Sequence, residues 1–409
     1  MSKSIFDYSQ YKFSTPKDET NFSSAVNDMN VSAIKEMALL STKYPDAIRF
    51  SIGMPSFETP YYIREAVIKE LITNNSIGKY APVSGIPELR IEIAKRVASD
   101  RGWKVDPDKN IIVSAGSIEA LNVVFHTLLN IDDEVIFFEP CYPNYIQQAK
   151  LVRAKAVFCP LDEERGWNID LELFESMINS KTKVVVICSP NNPTGTVIPK
   201  RTLDEVAEIA LKHNLYIIVD EPYDYLTYEG ITFYSISQNP EIRSNVILLR
   251  SFSKEYCMTG WRVGYIVADE SIISQLLKVH DSTVTSASTV SQYAALFALK
   301  GDQSIVDDYR KEFTKRKNLA CELLDGLSDY LSYVRPQGAY YIFPKIKTSN
   351  DIDTYKLAVD ILEKAKVVVI PGEAFGPSGK NHLRFTFCED KENIIEGFSR
   401  LREYFTQNW

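Results

Sequence analysis

The stretch NVILLRSFSKEYCMTGWRVGYIVA, residues 245–268, places a polar turn between two short apolar runs. The runs NVILLRS and RVGYIVA have the length and composition of buried β-strands. In the turn, Lys254 follows Ser251 and Ser253, and it is followed by glycines and by Arg262. A lysine in such a turn is, taken alone, most often a solvated surface residue. The surrounding sequence decides whether the turn is a surface loop or part of a site.

Further apolar runs alternate with helical patterns from about residue 105 to residue 268. The other strand candidates are NIIVSAG, DEVIFFEP, KVVVICSP and LYIIVDEP, while SIEALNVVFHTLL and RTLDEVAEIALKHN have helical periodicity. Strands that are apolar throughout and are joined by helices are typical of a mostly parallel sheet. The sequence therefore predicts an α/β fold, whose large domain has a mostly parallel central sheet covered by helices on both faces.

The two ends of the chain predict a second, smaller α+β domain. Residues 1–50 comprise a polar arm, over residues 1–30, and then part of the small domain. Residues 51–300 form the predicted large domain. Residues 301–409 supply a connecting helix and the rest of the small domain, through segments such as RPQGAYYIFPKI, HLRFTF and KENIIEGFSRLREYF. A chain of 409 residues is long for a single core, which agrees with this division.

The composition argues against several classes of function. The formal net charge of −8 and the pI of about 5.3 predict no binding to nucleic acid or to a membrane surface. No apolar run approaches the roughly 20 residues of a membrane span, and the N-terminus lacks the apolar segment of a secretory signal. The six cysteines form no C-x-x-C motif, and the four histidines lack metal-ligand spacing. We therefore expect a cytoplasmic protein with reduced thiols and no metal site.

Polar residues follow several predicted strands at the position where such a sheet binds ligands, outside the carboxyl ends of the strands. They are GS at 116–117, PCY at 140–142, SPNNPTG at 189–195, DEPY at 220–223 and SFSK at 251–254. Together they offer a turn that suits a phosphate, an aromatic ring, an amide, a carboxylate with a phenol, and an amine. Each segment alone is consistent with an ordinary turn, but their succession at strand ends predicts one site.

Several motifs, spread over nearly the whole chain, resemble those of a known family. They are SIGMPSFETP, KYAPVSGIPELRIEIA, SPNNPTG, VDEPYDYLTYEG, SFSKEYCMTGWRVGY, RPQGAYYIFP, VVVIPGEAFG and LRFTF. In this order and spacing they resemble the class I and II aminotransferases, which are pyridoxal-phosphate enzymes of fold type I. The resemblance implies pyridoxal 5′-phosphate as the cofactor, an amino acid and a 2-oxo acid as substrates, and a homodimer with shared active sites.

The resemblance also implies roles for the residues around the cofactor ring. Lys254 would form the aldimine and shuttle a proton, since a desolvated lysine amine is both a nucleophile and a base. Asp220 would keep the ring nitrogen protonated. Tyr223 and Asn192 would hydrogen-bond the cofactor's 3-oxygen, and Tyr142 would stack on the ring.

Further residues would hold the phosphate and the substrate. Backbone N–H groups at a helix start, two hydroxyls and a guanidinium would bind the phosphate, from Gly116, Ser117, Ile118, Ser251, Ser253 and Arg262. Tyr80 would reach the phosphate of the neighbouring subunit. Arg384 would bind the α-carboxylate of the substrate, with Gly53 and Asn192 beside it.

We therefore expect an aminotransferase that moves an amino group between an amino acid and a 2-oxo acid through Lys254. Ile34 and Ile118 lie where some family members place polar or charged pocket residues. Both are apolar here, so we expect at least one preferred amino donor to have a neutral side chain, aromatic or aliphatic. The same motifs also fit a lyase, a cyclase or an oxidase of the same fold. A non-catalytic binding protein that kept this fold is a further alternative.

Overall fold

A computed structural model describes residues 22–29 and 31–409 of the chain. Residues 1–21 and residue 30, which make up most of the predicted polar arm, lie outside the described part. The described chain begins with the helices α1 (Ser24–Asn27) and α2 (Ala33–Leu40). The short strand β1 (Ile48–Arg49) follows them.

The next elements build a central sheet and helices that pack on it. They are α3 (Tyr61–Thr73), α4 (Pro87–Arg101), β2 (Ile111–Ser114), α5 (Ser117–Leu128), β3 (Glu134–Glu139), α6 (Pro143–Leu151), β4 (Lys155–Asp162), β5 (Asn168–Ile169), α7 (Leu171–Ser176), β6 (Thr182–Cys188), α8 (Lys200–Lys212), β7 (Tyr216–Asp220), β8 (Val246–Ser251), α9 (Phe252–Glu255) and β9 (Gly264–Val267).

Within the described residues, the central sheet has eight strands in the order β2-β9-β8-β7-β6-β3-β4-β5. The pairs from β8 across to β4 are parallel, whereas β9 runs antiparallel to β2 and β8, and β5 runs antiparallel to β4. The predicted mostly parallel sheet is therefore confirmed. The sequence analysis missed β4 and β5, because a proline ends the apolar run of the β4 segment KAVFCPLD after four residues, and β5 has only two residues.

The two faces of the sheet are buried in two separate apolar clusters. In β7, Ile217 and Val219 belong to one cluster and Ile218 to the other. In β8, Leu248 and Leu249 divide in the same way. Because successive strand residues point to opposite faces and helices cover both faces, every position of these strands favours an apolar residue.

The remainder of the chain contains a helical segment and then the small domain. Its elements are α10 (Glu270–Val284), α11 (Thr289–Lys300), α12 (Ser304–Asp325), β10 (Leu331–Ser332), β11 (Tyr341–Ile342), β12 (Lys345–Ile346), α13 (Thr354–Ala365), β13 (Val367–Val368), β14 (Ile370–Pro371), β15 (Leu383–Thr386) and α14 (Lys391–Asn408). Strands β11, β15 and β14 form an antiparallel sheet, and β1 pairs in parallel with β13. This last pairing joins the two ends of the chain in one α+β unit, while the exact domain boundaries at residues 50 and 300 stay predictions.

None of the helices in the described residues combines the length and apolar character needed to cross a membrane. Within the same residues, no group of three or more histidine, cysteine, aspartate or glutamate side chains is arranged to hold a metal ion.

Candidate active site

A cavity of about 240 Å³ lies at the carboxyl ends of the central strands, and residues of the small domain close one side of it. The structure brings the predicted site residues together here, apart from Gly116 and Tyr80. Those that line the cavity are Ile34, Gly53, Ser117, Ile118, Tyr142, Asn192, Asp220, Tyr223, Ser251, Ser253, Lys254, Arg262 and Arg384. Gly116 directly precedes the lining residue Ser117, whereas Tyr80 is 87% exposed and does not line the cavity of its own chain.

Lys254 lies on the one-turn helix α9, directly after β8. Ser251 is the N-cap of this helix, and its hydroxyl accepts a hydrogen bond from the backbone N–H of Ser253 at 3.2 Å. Nζ of Lys254 donates to the carbonyl oxygen of Gly53 at 2.6 Å. Burial lowers the pKa of this amine to about 8, and two nearby arginines act in the same direction. A fraction of the amine is therefore unprotonated near neutral pH, as a nucleophile or a proton carrier requires.

Asp220 is the last residue of β7 and is 6% exposed. Its Oδ2 accepts a hydrogen bond from the hydroxyl of Tyr145 at 2.7 Å, whereas its buried Oδ1 has no partner among the described residues. Burial raises the pKa of Asp220 to about 6, and the bond from Tyr145 opposes this shift. A buried carboxylate oxygen without a donor is unfavourable, so a protonated nitrogen placed in the cavity would complete this environment.

The turn before α5 approaches Arg262 closely. Gly116 is the N-cap of α5 and has a φ of 85°, which glycine adopts without strain. A Cβ at this position would lie 2.5 Å from a guanidinium nitrogen of Arg262. Arg262 also donates to the carbonyl of Thr259 at 3.0 Å, which fixes its orientation. The glycine therefore lets a guanidinium lie beside the free N–H groups of the helix start, where an anion is stabilised.

Arg384 lies on β15 and is 1% exposed. One of its terminal nitrogens donates to Oδ1 of Asn192 at 3.2 Å, and the other donates to the carbonyl of Ser51. Its Cζ lies 4.9 Å from the ring centroid of Tyr341 and 5.0 Å from that of Phe375. The guanidinium is thus held in place by polar and aromatic contacts, and a planar cation held in this way suits a carboxylate.

Two tyrosines of the site were missed by the sequence analysis. Tyr145 hydrogen-bonds Asp220, and the hydroxyl of Tyr341 lies 2.6 Å from that of Tyr223. A signal for Tyr145 existed, because it follows Tyr142 by three residues in a helical segment and therefore shares its face. Tyr341 belongs to a quoted motif, but the pair AYY does not show which tyrosine faces the site.

The part of the cavity beside α2 and the start of α5 is apolar. Ile34 and Ile118 both line it. Of the described residues that line the cavity, the cationic ones are Lys254, Arg262 and Arg384. In the described part of one chain, the wall of the cavity beside α2 and α5 is therefore apolar. The three cations of the lining lie at the positions described above.

A cluster of buried ion pairs adjoins the site and includes the residues that directly follow Asp220 and Lys254. Its members are Arg96, Arg101, Glu221, Asp224, Arg250 and Glu255. Glu221 is 1% exposed and accepts a hydrogen bond from Arg101 at 2.9 Å. Because these paired side chains link α4 to the turns after β7 and β8, the cluster holds these turns in place.

Comparison with known proteins identifies the family of this chain. A model of the family described as aminotransferase class I and II matches residues 45–401. A probable aspartate aminotransferase of Methanocaldococcus jannaschii is 38% identical over 94% of this chain and 99% of its own length. Aromatic-amino-acid aminotransferase 2 of Thermococcus litoralis is 32% identical over 92% of this chain and 96% of its own length.

A solved structure gives the same result. The aspartate aminotransferase from Thermus thermophilus with maleate has a TM-score of 0.87 to this structure at 31% identity, over 93% of this chain and 99% of that one. These relatives are named for amino-group transfer, which favours transamination over the lyase, cyclase and oxidase alternatives. Since the family model spans most of the chain and the relatives match it nearly end to end, the chain belongs to the class I and II aminotransferases and is an aminotransferase.

Proposed function

We propose that the protein binds pyridoxal 5′-phosphate in this cavity and uses Lys254 and Asp220 as its main catalytic residues. The observation that best supports this is the buried, partnerless Oδ1 of Asp220, which fits the protonated ring nitrogen of such a cofactor. Proteins of this family generally depend on pyridoxal phosphate. When bound, the cofactor supplies an aldehyde that takes up the amino group and a ring that accepts electrons.

The residues around the cavity fit the rest of the cofactor. The N–H groups that follow Gly116, the hydroxyls of Ser251 and Ser253 and the guanidinium of Arg262 would hold the phosphate. Tyr142 would lie against the ring. The hydroxyl of Tyr223 and the amide N–H of Asn192 would face the 3-oxygen, because Oδ1 of Asn192 already accepts from Arg384.

The remaining roles belong to substrate binding and proton transfer. Arg384 binds the α-carboxylate, and its contacts with Asn192 and Ser51 set the orientation of the guanidinium. Lys254, whose pKa is about 8, takes the proton from the α-carbon. General acid–base action of this kind contributes roughly 10²–10⁴-fold to the rate.

The absorbance of the protein tests the cofactor assignment. Protein purified with pyridoxal 5′-phosphate should absorb in the visible range, and an amino donor added without an acceptor should bleach this band. The Lys254→Ala variant, as the matched control, should bind the cofactor without the same band. A colourless wild-type protein, or one whose band ignores amino donors, would contradict the assignment.

We also propose that at least one preferred amino donor has a neutral side chain. The three cations that line the cavity already serve the cofactor and the α-carboxylate in this proposal. A second carboxylate would be buried against Ile34 and Ile118, which costs several kcal/mol. The relatives are named for aspartate as well as for aromatic amino acids, so the cavity wall and not their names supports this proposal.

The substrate proposal is tested by comparing kcat/KM for aspartate with kcat/KM for phenylalanine, leucine and methionine. We expect a neutral donor to exceed aspartate, and each 1.4 kcal/mol of discrimination corresponds to about tenfold in kcat/KM. The variant Ile118→Arg should raise the value for aspartate, because it adds the missing cation. A preference of the wild-type protein for aspartate of about 100-fold or more, some 2.7 kcal/mol, would show that another cation enters the cavity.

The proposed assembly is a homodimer in which Tyr80 reaches the phosphate site of the other subunit. Tyr80 is 87% exposed, and α3 exposes the apolar residues Tyr61, Ile68 and Ile72. Exposed apolar residues grouped on one helix support an interface between subunits. Mixing the inactive Lys254→Ala variant with a Tyr80→Ala variant should restore activity in part, since one site of the heterodimer is then intact. A fully active monomer in sedimentation would contradict the assembly.

The expected location is the cytoplasm. All six cysteines are free in the structure, which supports a reducing compartment. A fluorescent fusion to the full chain would test the location, and a signal confined to another compartment would contradict it.

A further inference from the structure

Tyr341 of the small domain touches both halves of the site. Its hydroxyl lies 2.6 Å from the hydroxyl of Tyr223, which belongs to the large domain. A Cβ on Gly53 would lie only 2.1 Å from the Tyr341 hydroxyl, so this hydroxyl packs directly against the Gly53 backbone. The carbonyl oxygen of Gly53 also accepts the hydrogen bond from Lys254.

The register of β11 and β15 explains why Tyr341 also contacts Arg384. Tyr341 is directly opposite Thr386 in the antiparallel pair. Arg384 is two residues away from Thr386 on the same strand, so it shares the face of Tyr341 as a diagonal neighbour. The Cζ atom of Arg384 lies 4.9 Å from the Tyr341 ring centroid, within the range of a cation–π contact.

In the contact between Tyr223 and Tyr341, either hydroxyl can be the hydrogen-bond donor. Burial raises the pKa of both Tyr223 and Tyr341, so both phenols keep their protons near neutral pH. The hydrogen bond between the two hydroxyls uses only one of the two phenol protons. When Tyr223 donates its proton to a group in the cavity, the contact can persist only with Tyr341 as the donor.

On the basis of the proposed function, we propose that Tyr341 is a positioning residue that links the cofactor contact of Tyr223 to the carboxylate clamp of Arg384. Its hydroxyl donates to Tyr223 and so strengthens the bond from Tyr223 to the cofactor's 3-oxygen, since hydrogen bonds in a chain reinforce one another. Its ring holds one face of the Arg384 guanidinium. The two contributions come from different atoms of one side chain, so two substitutions separate them.

The variant Tyr341→Phe removes the hydroxyl and keeps the ring, whereas Tyr341→Leu removes both. The first readout is the pH midpoint of the visible-absorbance change of cofactor-loaded protein without substrate. A weaker hydrogen bond to the 3-oxygen stabilises its negative charge less, so the chromophore holds its proton to a higher pH. We expect an upward shift of about 0.1–0.7 pH unit in both variants, in line with a weakening of about 10–30% in one hydrogen bond to a charged oxygen.

The second readout is the KM for the amino donor. Tyr341→Leu should raise it about threefold to tenfold, in line with the loss of one cation–π contact, whereas Tyr341→Phe should leave it nearly unchanged. The control is Tyr333→Phe, because the Tyr333 hydroxyl donates to Asp325 at 2.7 Å and lies 3.1 Å from the carbonyl oxygen of Cys321, outside the cavity. This control should change neither readout.

The outcomes distinguish this inference from the function on which it rests. A midpoint in Tyr341→Phe equal to that of a coloured wild-type protein would overturn the link to Tyr223. An unchanged KM in Tyr341→Leu would overturn the link to Arg384. A wild-type protein without a visible band would overturn the proposed function itself, and the inference with it.

Discussion

Replacing Asp220 by asparagine should stabilise the cofactor-free protein. The pKa of Asp220 is about 6 in the folded protein, because the carboxylate is buried, and about 3.9 in an unfolded chain. A difference of two units corresponds to about 3 kcal/mol of instability at neutral pH. Asparagine keeps the 2.7 Å contact with Tyr145 and removes the charge, but its second polar atom stays unpaired. Leaving that atom unpaired costs about 1 kcal/mol or more of stability. We therefore expect the unfolding free energy of the variant to exceed that of wild type by about 1–2 kcal/mol at pH 7.5.

The gain should depend on pH in a defined direction. Below about pH 4 the carboxyl is protonated in both the folded and the unfolded state, and the wild-type protein loses its disadvantage. The gain grows between about pH 4 and pH 6 and is constant above that range. The assay is urea unfolding of the cofactor-free wild-type and Asp220→Asn proteins at several pH values. A variant that is less stable than wild type at pH 7.5, or a gain that ignores pH, would refute the reasoning.

Bound cofactor should reverse the order of stability of the wild-type and Asp220→Asn proteins. The wild-type carboxylate gains a partner when the cofactor binds, and a ligand that binds only the folded state stabilises it according to its affinity. Saturating cofactor should therefore raise the unfolding free energy of the wild-type protein more than that of Asp220→Asn. The Tyr145→Phe variant is the control for the neighbouring hydrogen bond, and it should be less stable than wild type without cofactor.

Three further predictions concern single side chains. Lys254→Ala should still bind the cofactor through its phosphate contacts, but turnover should fall by more than about 10³-fold, and wild-type turnover would end the catalytic assignment. Glu221→Gln should lower the unfolding free energy by about 1.5–3 kcal/mol, because it weakens the buried pair with Arg101, which keeps Asp224 as a second partner, while the visible absorbance of the folded, loaded protein stays unchanged; if instead the absorbance changes and the stability does not, the wrong carboxylate has been assigned to the ring nitrogen. Arg384→Lys should raise KM for amino acids by at least about tenfold, because a lysine cannot make the same planar contact; unchanged steady-state kinetics would remove Arg384 from the carboxylate site.

The fold and most of the cavity could be predicted because their signals are local. The strands β7 and β8 are continuous apolar runs, and the turns that follow them contain the residues named from the motifs. In β4 a proline follows only four apolar residues, and this strand was missed.

The contacts that join distant segments could not be predicted in this way. Tyr341 meets Tyr223 across 118 positions, and Arg101 meets Glu221 across 120. Neither pairing leaves a periodic or compositional trace in the sequence. Glu221 follows Asp220 directly in the sequence, but only the structure shows that it pairs with Arg101 and contributes to stability.

The parallel pairing of β1 with β13 has a consequence for biosynthesis. Ile48 pairs with Val367, and the Phe50 ring lies 6.3 Å from that of Phe385 and 5.3 Å from that of Phe398. At about 5–20 residues per second, a ribosome needs on the order of 15–60 s to extend the chain from β1 to these partners. During this interval Ile48 and Phe50 lack these native partners, and they are a surface for chaperones or for aggregation. Polar substitutions at Ile48 or Phe50 would therefore alter the yield of nascent chains as well as the stability of the finished protein.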